Sequence, residues 1–183
     1  TIPDFIAYAK ANPGKINFAT VGARTAPHIA GDLFQMMAGI NLVQIRYPTN
    51  YFADVLSGQV PVSFVAVAPG IPFLRAGKLR GLGVTSATRM SILPDIPAIA
   101  EFVPGYEGSG WLGVGAPKDT PTTVIDRLNK EINAIVVDPK MQPRLVGLGI
   151  EANPMTPAQF GKLCADATAK WAKVIKFAGI KLE

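Results

Sequence analysis

The feature that most constrains this chain is the alternation of strand-like and helix-like segments between Ile2 and Thr85. Short apolar or β-branched runs predict strands over 16–20, 41–46, 60–67 and 79–85, the third ended by Pro69-Gly70. Helical spacing of apolar residues predicts helices over 2–11, 27–37, 51–56 and 71–76. Strands that alternate with helices in this way are typical of parallel βαβ units, so the sequence predicts an α/β fold.

The chain changes in character after Thr85. Prolines and glycines between 86 and 110 predict loops around one short helix over 96–102. Strands are predicted over 111–116 and 150–153. Three helices complete the prediction: 121–137, capped by Thr120 with Pro121 at the first helical position; 139–147; and 157–177, capped by Thr156 and stopped by Gly179.

Charge and hydropathy argue against nucleic-acid binding and against a membrane-spanning segment. The net charge is +5, from 18 Lys and Arg against 13 Asp and Glu, and a mild positive field suits acidic ligands. The cations are scattered and form no basic stripe with interleaved aromatic residues, so we predict no nucleic-acid partner. No apolar run approaches the roughly 20 residues of a membrane span.

Little in the sequence supports catalysis. The single histidine, His28, and the single cysteine, Cys164, are too few for the usual zinc sites. The HExxH, Walker and GxGxxG motifs are absent, and Ser109 lacks the GxSxG spacing. We therefore predict no catalytic residue, no metal and no cofactor, and a hydrolase that uses His28 is the weakest alternative.

The most informative corner is NFATVGARTAPHIAG, where a strand passes into a helix. Free backbone N–H groups and the helix dipole at such a corner bind carboxylates or phosphates. Gly22 permits a close approach, Thr25 offers a hydroxyl, and Arg24 offers a charge-assisted pair. A simpler interpretation stays open, in which Gly22 only makes a turn, Thr25 only caps the helix and Arg24 faces solvent. His28 is predicted to be a packed residue of the first helical turn and not a ligand contact.

Several segments in a fixed order resemble the Bug/TctC family, the extracytoplasmic solute receptors of tripartite tricarboxylate transporters. They are ANPGKINFAT.G..T..HIAGDLFQMMAGINLVQIRYP, DVLSGQVPVSF, AGKLRGLGVTSATRMSILPDIPAIAEF, GWLGVGAPKDTPTTVIDRLNKEI and W.KVIKFAGIK. The most specific of them are the PGK–strand–G..T..H corner, the sGQV segment and the R…LPD.P…E motif. The resemblance runs nearly from end to end of the chain.

The resemblance implies a type II periplasmic-binding-protein-like α/β fold, in which two lobes with βαβ units close on a carboxylated solute. It assigns residues 1–108 to the second, ligand-binding lobe and 109–183 to the C-terminal part of the first lobe. Family members carry a signal peptide and most of the first lobe before the segment that matches Thr1, so we expect this first lobe to be incomplete. We also expect a periplasmic location, membrane permease subunits as partners, and possible self-association across exposed sheet edges.

The resemblance also places a ligand site on three segments: the corner, the turn after Tyr47, and the loop after the third strand. The predicted ligand-binding residues are Thr20, Gly22, Ala23, Arg24, Thr25, Tyr47, Thr49, Asn50 and Ala66.

Three departures from the family pattern bear on the ligand. Arg24 replaces a usual glycine, Pro48-Thr49-Asn50 replaces a Gly-rich turn, and the loop around Ala66 is apolar where a polar residue is common. These differences favour a di- or tricarboxylate or an aromatic carboxylate over an amino acid. The alternative function is the effector-sensing domain of a transcription regulator, which shares the fold. A signal peptide upstream would favour the receptor, and a helix-turn-helix upstream would favour the regulator.

Overall fold

The structure is a computed structural model that describes residues 1–22 and 25–180. It contains two compact units, one formed by Thr1–Gly110 with the segment from Val174 onward, the other by Trp111–Lys173. The assignment of 1–108 and 109–183 to two lobes of a longer receptor stays a prediction.

The first unit has a three-stranded parallel sheet in the order β2-β1-β3, which confirms the predicted α/β fold. A 3₁₀ turn at Ile99–Glu101 follows its last helix. Its elements are α1 (Ile2–Ala11), β1 (Asn17–Val21), α2 (Ala26–Ala38), β2 (Val43–Tyr47), α3 (Phe52–Leu56), β3 (Val62–Ser63) and α4 (Val67–Arg75).

Local sequence explains where α1 begins and where α2 ends. Thr1 and Asp4 form a capping box at the start of α1, in which the Asp4 N–H donates to Thr1 Oγ1 at 3.3 Å. Gly39 closes α2 in the left-handed conformation, as predicted, with its N–H donating to the Gln35 carbonyl.

The two faces of the sheet bury different kinds of side chain. Phe18 packs against Phe64 with ring centroids 6.2 Å apart, on the face that α2 covers. A Cβ at Gly31 of α2 would lie 2.9 Å from the Phe18 ring, so only glycine lets the helix approach this closely. On the other face, Ala19, Tyr51 and Val60 form an apolar cluster with side chains from α3. The helices α2 and α3 therefore lie on opposite faces of the sheet.

The third strand is shorter than predicted, and the helix after it begins earlier. Only Val62–Ser63 pairs with β1, and α4 begins at Val67 and runs through Pro69 and Gly70. Pro69 is the third residue of α4, where the backbone N–H has no helical acceptor, so proline is tolerated there. The prediction that Pro69-Gly70 ends a strand was wrong for this reason.

Three further predicted strands do not form within the described residues. The 79–85 segment contributes a single parallel bridge, from Val84 to Ala98. The 111–116 and 150–153 segments are irregular, and Leu112 is 86% exposed. A strand needs a neighbouring strand for its backbone hydrogen bonds, and among the described residues the 111–116 and 150–153 segments pair with none.

The second unit contains α5 (Thr122–Val136), α6 (Gln142–Gly147) and most of α7 (Pro157–Phe177). Thr156 caps α7 as predicted, with the Gln159 N–H donating to its hydroxyl at 3.2 Å. Thr120 does not cap α5, because its hydroxyl donates to the Pro117 carbonyl and the helix begins after Pro121.

Candidate functional site

The carboxyl ends of the three parallel strands meet at one edge of the sheet. The strands end at Val21, Tyr47 and Ser63, and a loop then leads into α2, α3 or α4. The chain leaves β1 toward β2 on one side, whereas β3 lies on the other side of β1. In open α/β sheets, ligands bind outside the carboxyl ends of the strands at such a reversal of strand order. We call this place the switch-point edge.

The structure brings the three predicted site segments together at the switch-point edge. Thr20 and Tyr47 lie near the ends of their strands, and Ala66 lies in the loop before α4. Ala23 and Arg24 fall outside the described residues. Their predicted roles, and those of the other predicted ligand-binding residues, stay predictions. The rest of this set lies in the loops that follow the strands: Gly22, Thr25, Thr49 and Asn50.

The first loop is closed by its own hydrogen bonds. The Gly22 N–H donates to the Tyr47 carbonyl at 3.0 Å, which continues the pairing of β1 and β2 by one residue. The Thr25 hydroxyl donates to the Val21 carbonyl at 2.9 Å and makes no capping bond to the helix. The Thr25 hydroxyl hydrogen is thus used within the loop, and its oxygen remains an acceptor.

Two helices begin at the switch-point edge without a side-chain cap. The helices α2 and α4 start after Thr25 and Ala66, and neither residue makes a capping hydrogen bond. Neither helix has an acidic residue in its first turn. The first backbone N–H groups of a helix have no helical acceptor, and the helix dipole adds partial positive charge beside them. This combination attracts an anion.

The second loop is held by side chains on both sides. The Tyr47 hydroxyl donates to Asp54 Oδ2 at 2.6 Å, and this hydrogen bond raises the pKa of Tyr47. Asn50 Oδ1 accepts from the N–H of Phe52, the first residue of α3, at 2.9 Å. Thr49 and Asn50 are exposed. The exposed side chains of this loop therefore offer a hydroxyl and an amide.

The third loop offers backbone and apolar surface. Ala66 is exposed in an extended conformation directly before α4, and Val65 before it packs against the apolar cluster around Ala19. The Tyr51 hydroxyl donates to the Phe64 carbonyl at 3.0 Å and so ties the start of α3 to the end of β3.

Thr20 lies in the interior and not on the loop surface. It is fully buried, and its hydroxyl accepts a hydrogen bond from Gln44 Nε2 at 2.8 Å. Arg46 on the same strand as Gln44 donates to Gln44 Oε1 at 3.3 Å. A ligand could contact the Thr20 hydroxyl only if Gln44 and the other side chains that bury Thr20 moved away.

His28 lies buried in the first turn of α2, as predicted, but it has an acidic neighbour that the sequence interpretation overlooked. Its Nε2 lies 3.1 Å from Oδ2 of Asp32, one turn along the helix. Burial lowers the pKa of His28 and raises that of Asp32. The spacing of four residues on a helix was the available signal, since it places two side chains on one face.

The polar contacts that begin with His28 and Asp32 continue along the buried face of α2. Gln35 Nε2 donates to Asp32 Oδ1 at 3.3 Å, and the Leu42 N–H donates to Gln35 Oε1 at 2.7 Å. Leu42 directly precedes β2. Gln35 therefore joins α2 to the residue before β2, and Asp32 links Gln35 to His28 along the helix.

The R…LPD.P…E motif serves the fold. Arg89 makes two parallel hydrogen bonds to Glu101, at 2.9 and 2.8 Å, and a third to the Pro94 carbonyl at 3.3 Å. Glu101 also accepts from the Ala98 N–H at 2.8 Å. The motif thus clamps an irregular segment against the 3₁₀ turn.

Neither a metal site nor a membrane-spanning helix is found among the described residues. Across residues 1–22 and 25–180, no group of three or more His, Cys, Asp or Glu side chains could hold a metal ion. None of the helices described is long and apolar enough to cross a membrane.

Comparisons with known proteins identify the family of the chain and its relatives in fold. Residues 1–180 match the model of the tripartite tricarboxylate transporter family receptor, TctC. The chain is 35% identical over 178 residues to a UPF0065 protein from the tcbD-tcbE intergenic region of Pseudomonas sp. strain P51, covering 95% of this chain and 53% of that protein.

Two solved structures are similar in fold and sequence. One is R. palustris Rpa4515 with adipate, at 31% identity and a TM-score of 0.81, covering 98% of this chain and 61% of that chain. Another is the periplasmic binding protein BugD, at 30% identity and a TM-score of 0.67, covering 100% and 62%. The chain thus spans about half the length of the curated relative and about three fifths of these solved chains.

The family is one of solute-binding receptors and not of enzymes. The family model matches nearly the whole chain, and the relatives carry the Bug and UPF0065 names. The chain therefore belongs to the TctC family of tripartite tricarboxylate transporter receptors.

Proposed function

We propose that this chain captures a small molecule bearing a carboxylate at the switch-point edge, as part of a periplasmic receptor. The carboxylate would accept hydrogen bonds from the first backbone N–H groups of α2 and α4. The receptor would then close on the solute and deliver it to the membrane permease subunits of a tripartite tricarboxylate transporter.

The observation that carries this proposal is the pair of uncapped helix starts at one edge. Ala26 is exposed at the first position of α2, and Ala66 is exposed directly before α4. Both helices have eight or more residues, so each adds a dipole as well as free donors. Family membership, and the adipate that accompanies R. palustris Rpa4515 at 31% identity, support a carboxylate as the anion.

The loops suggest what the rest of the ligand resembles. Ala66 and its neighbours offer no side-chain acceptor for an ammonium group, whereas apolar surface there suits a carbon chain or ring. Thr49 and Asn50 on the second loop can bind a second polar end of the ligand. We therefore favour a di- or tricarboxylate or an aromatic carboxylate, and Arg24 would add affinity for a dianion.

The test removes one backbone donor without removing the helix. Ala26→Pro deletes the N–H at the first position of α2, where proline is well tolerated. Thr122→Pro makes the matched change at the first position of α5, in the other unit. Titration calorimetry with adipate, citrate and benzoate gives the affinities.

We expect Ala26→Pro to weaken binding about tenfold, as for loss of one hydrogen bond to a charged acceptor. Thr122→Pro should leave the affinity unchanged. If no carboxylate binds the unmodified protein, or if both prolines have the same effect, the proposed site is wrong.

A further inference from the structure

We infer that capture of a carboxylate at the start of α2 is accompanied by uptake of a proton at the buried pair formed by His28 and Asp32. The inference rests on the proposed function, because it requires an anion at that helix start. It assigns these two residues a positioning and charge-balancing role, without contact to the ligand.

The first step is the placement of a negative charge. Asp32 lies on the same helix as the proposed donors, with its side chain 10% exposed. A buried carboxylate there opposes the approach of an anionic ligand, since little water screens the two charges. A receptor that binds anions at this helix start gains affinity when that charge is neutralised.

The second step is the incomplete hydrogen bonding of that carboxylate. Asp32 Oδ1 accepts from Gln35, whereas Oδ2 is buried and accepts no well-oriented hydrogen bond from the residues described. The imidazole of His28 lies 3.1 Å from this oxygen and is only 3% exposed. Since burial disfavours the charged form of each group, the pair is able to hold one additional proton between its two facing atoms.

The third step is the inventory of charges around the pair. Arg46 of β2 is the other charged group that acts on both His28 and Asp32 among the described residues. Gln35 and Gln44 are neutral, and the segment from Phe177 to Ile180 that faces them from the end of the chain is uncharged. Uptake of one proton by the pair therefore changes the net charge of this interior by one unit.

The fourth step is a route for the proton. An open recess of about 320 Å³ lies beside β2 and reaches the pair from solvent. His28, Asp32, Gln44 and Arg46 line it, together with Phe177 and Ile180. A proton can thus reach the pair through this recess while the ligand is held at the exposed start of the helix.

Linkage then fixes the sign of the effect. If a bound anion favours the protonated pair, protonation of the pair must favour the bound anion by the same factor. Affinity for a carboxylate should rise as the pH falls through the titration of the pair. Binding at constant pH should draw a fraction of a proton from the buffer.

The single histidine of the chain makes this directly measurable. We would follow the imidazole C–H resonance of His28 by proton NMR from pH 4.5 to 8, with and without saturating adipate. Saturation should raise the midpoint by about half a pH unit, which corresponds to a roughly threefold coupling. Calorimetry in PIPES and in imidazole buffer at pH 7 should show matching proton uptake.

Variants separate this role from simple structural support. Asp32→Asn removes the buried charge at nearly constant shape and should abolish proton uptake while retaining binding. It should also lower the His28 midpoint, because the carboxylate favours the imidazolium. Gln35→Met removes the hydrogen bonds that Gln35 makes to Asp32 and Leu42, but it removes no titratable group. It should therefore leave proton uptake intact.

Binding of adipate with an unchanged His28 midpoint and no proton uptake would overturn the inference and leave the proposed function standing. Absence of binding, together with an unchanged midpoint, would overturn both. Loss of uptake in Gln35→Met as well as in Asp32→Asn would also overturn it, because the effect would then be structural. Circular dichroism spectra and thermal denaturation confirm that each variant is folded.

Discussion

The N–H of Gly22 donates to the carbonyl of Tyr47 at 3.0 Å and ties the first two loops of the switch-point edge together. Gly22 holds a φ of 64°, in the left-handed region that glycine adopts without penalty. A side chain at this position would strain the backbone and place its Cβ 3.4 Å from Thr25 Cγ2. Gly22 thus extends the pairing of β1 and β2 and also shapes the loop of the proposed site.

We predict that Gly22→Ala lowers the free energy of unfolding by about 1 to 2 kcal/mol through backbone strain. Gly39→Ala is the matched control, because Gly39 also has a left-handed φ, of 63°, but closes α2 at its far end. Urea denaturation should show similar losses for both variants. Only Gly22→Ala should weaken carboxylate binding, and equal affinities would separate Gly22 from the site.

A second prediction concerns the uncapped start of α4. Ala66→Asn should cap the helix and raise the free energy of unfolding by about 1 kcal/mol. Ala66→Asp should stabilise α4 to a similar extent, but its charge should repel a bound carboxylate. The affinity of Ala66→Asp should therefore fall well below that of Ala66→Asn in calorimetry. Equal affinities would show that no anion binds at this helix.

A third prediction concerns Thr25. Its hydroxyl donates to the Val21 carbonyl at 2.9 Å and thereby shapes the loop before α2. Thr25→Ala should weaken carboxylate binding by about 1 kcal/mol, whereas Thr25→Ser keeps the hydroxyl and should bind normally. The comparison is made by calorimetry. An affinity of Thr25→Ala equal to that of the unmodified protein would remove Thr25 from the site.

A fourth prediction concerns pH and the clamp between Arg89 and Glu101. The hydrogen bond from Arg89 is the main cause that lowers the pKa of Glu101. A carboxyl whose pKa is lowered by folding stabilises the protein above its unfolded pKa, near 4.5, and this stabilisation disappears as the pH falls further.

Arg89→Gln should therefore lower the melting temperature at pH 7, and the difference from the unmodified protein should shrink at pH 3. Lys78→Gln removes an exposed cation of the same unit and serves as the control for net charge. A difference that stays constant between the two pH values would mean that the ion pair does not contribute.

Local sequence patterns predicted the helices better than the strands. Capping residues and glycine stops mark the ends of α1, α2 and α7, because these signals act within one turn of the backbone. The strand predicted over 111–116 does not form in the structure, since pairing depends on a partner that apolar composition alone does not supply.

For a similar reason, the sequence predicted which loops lie at the candidate site but not which strand side chains are exposed there. Gly22 and Ala66 lie at the switch-point edge because the order of strands and loops follows from the chain. Thr20 looks available for binding in the sequence, but it points into the covered face of the sheet, where Gln44 donates to it. Which face a strand residue occupies depends on where the helices pack.

By itself, the sequence determined the βα alternation, the turn at Gly22, the absence of a catalytic motif and the family of the chain, because these depend on local spacing and on residue identity. Only the tertiary structure decided that β1 lies between β2 and β3 and that α2 and α4 start at one edge without caps. It also decided that the face of α2 carrying His28 and Asp32 is buried, with Arg46 of the neighbouring strand acting on both residues. These relationships join segments that are distant in sequence, and they exist only once packing has fixed which faces meet.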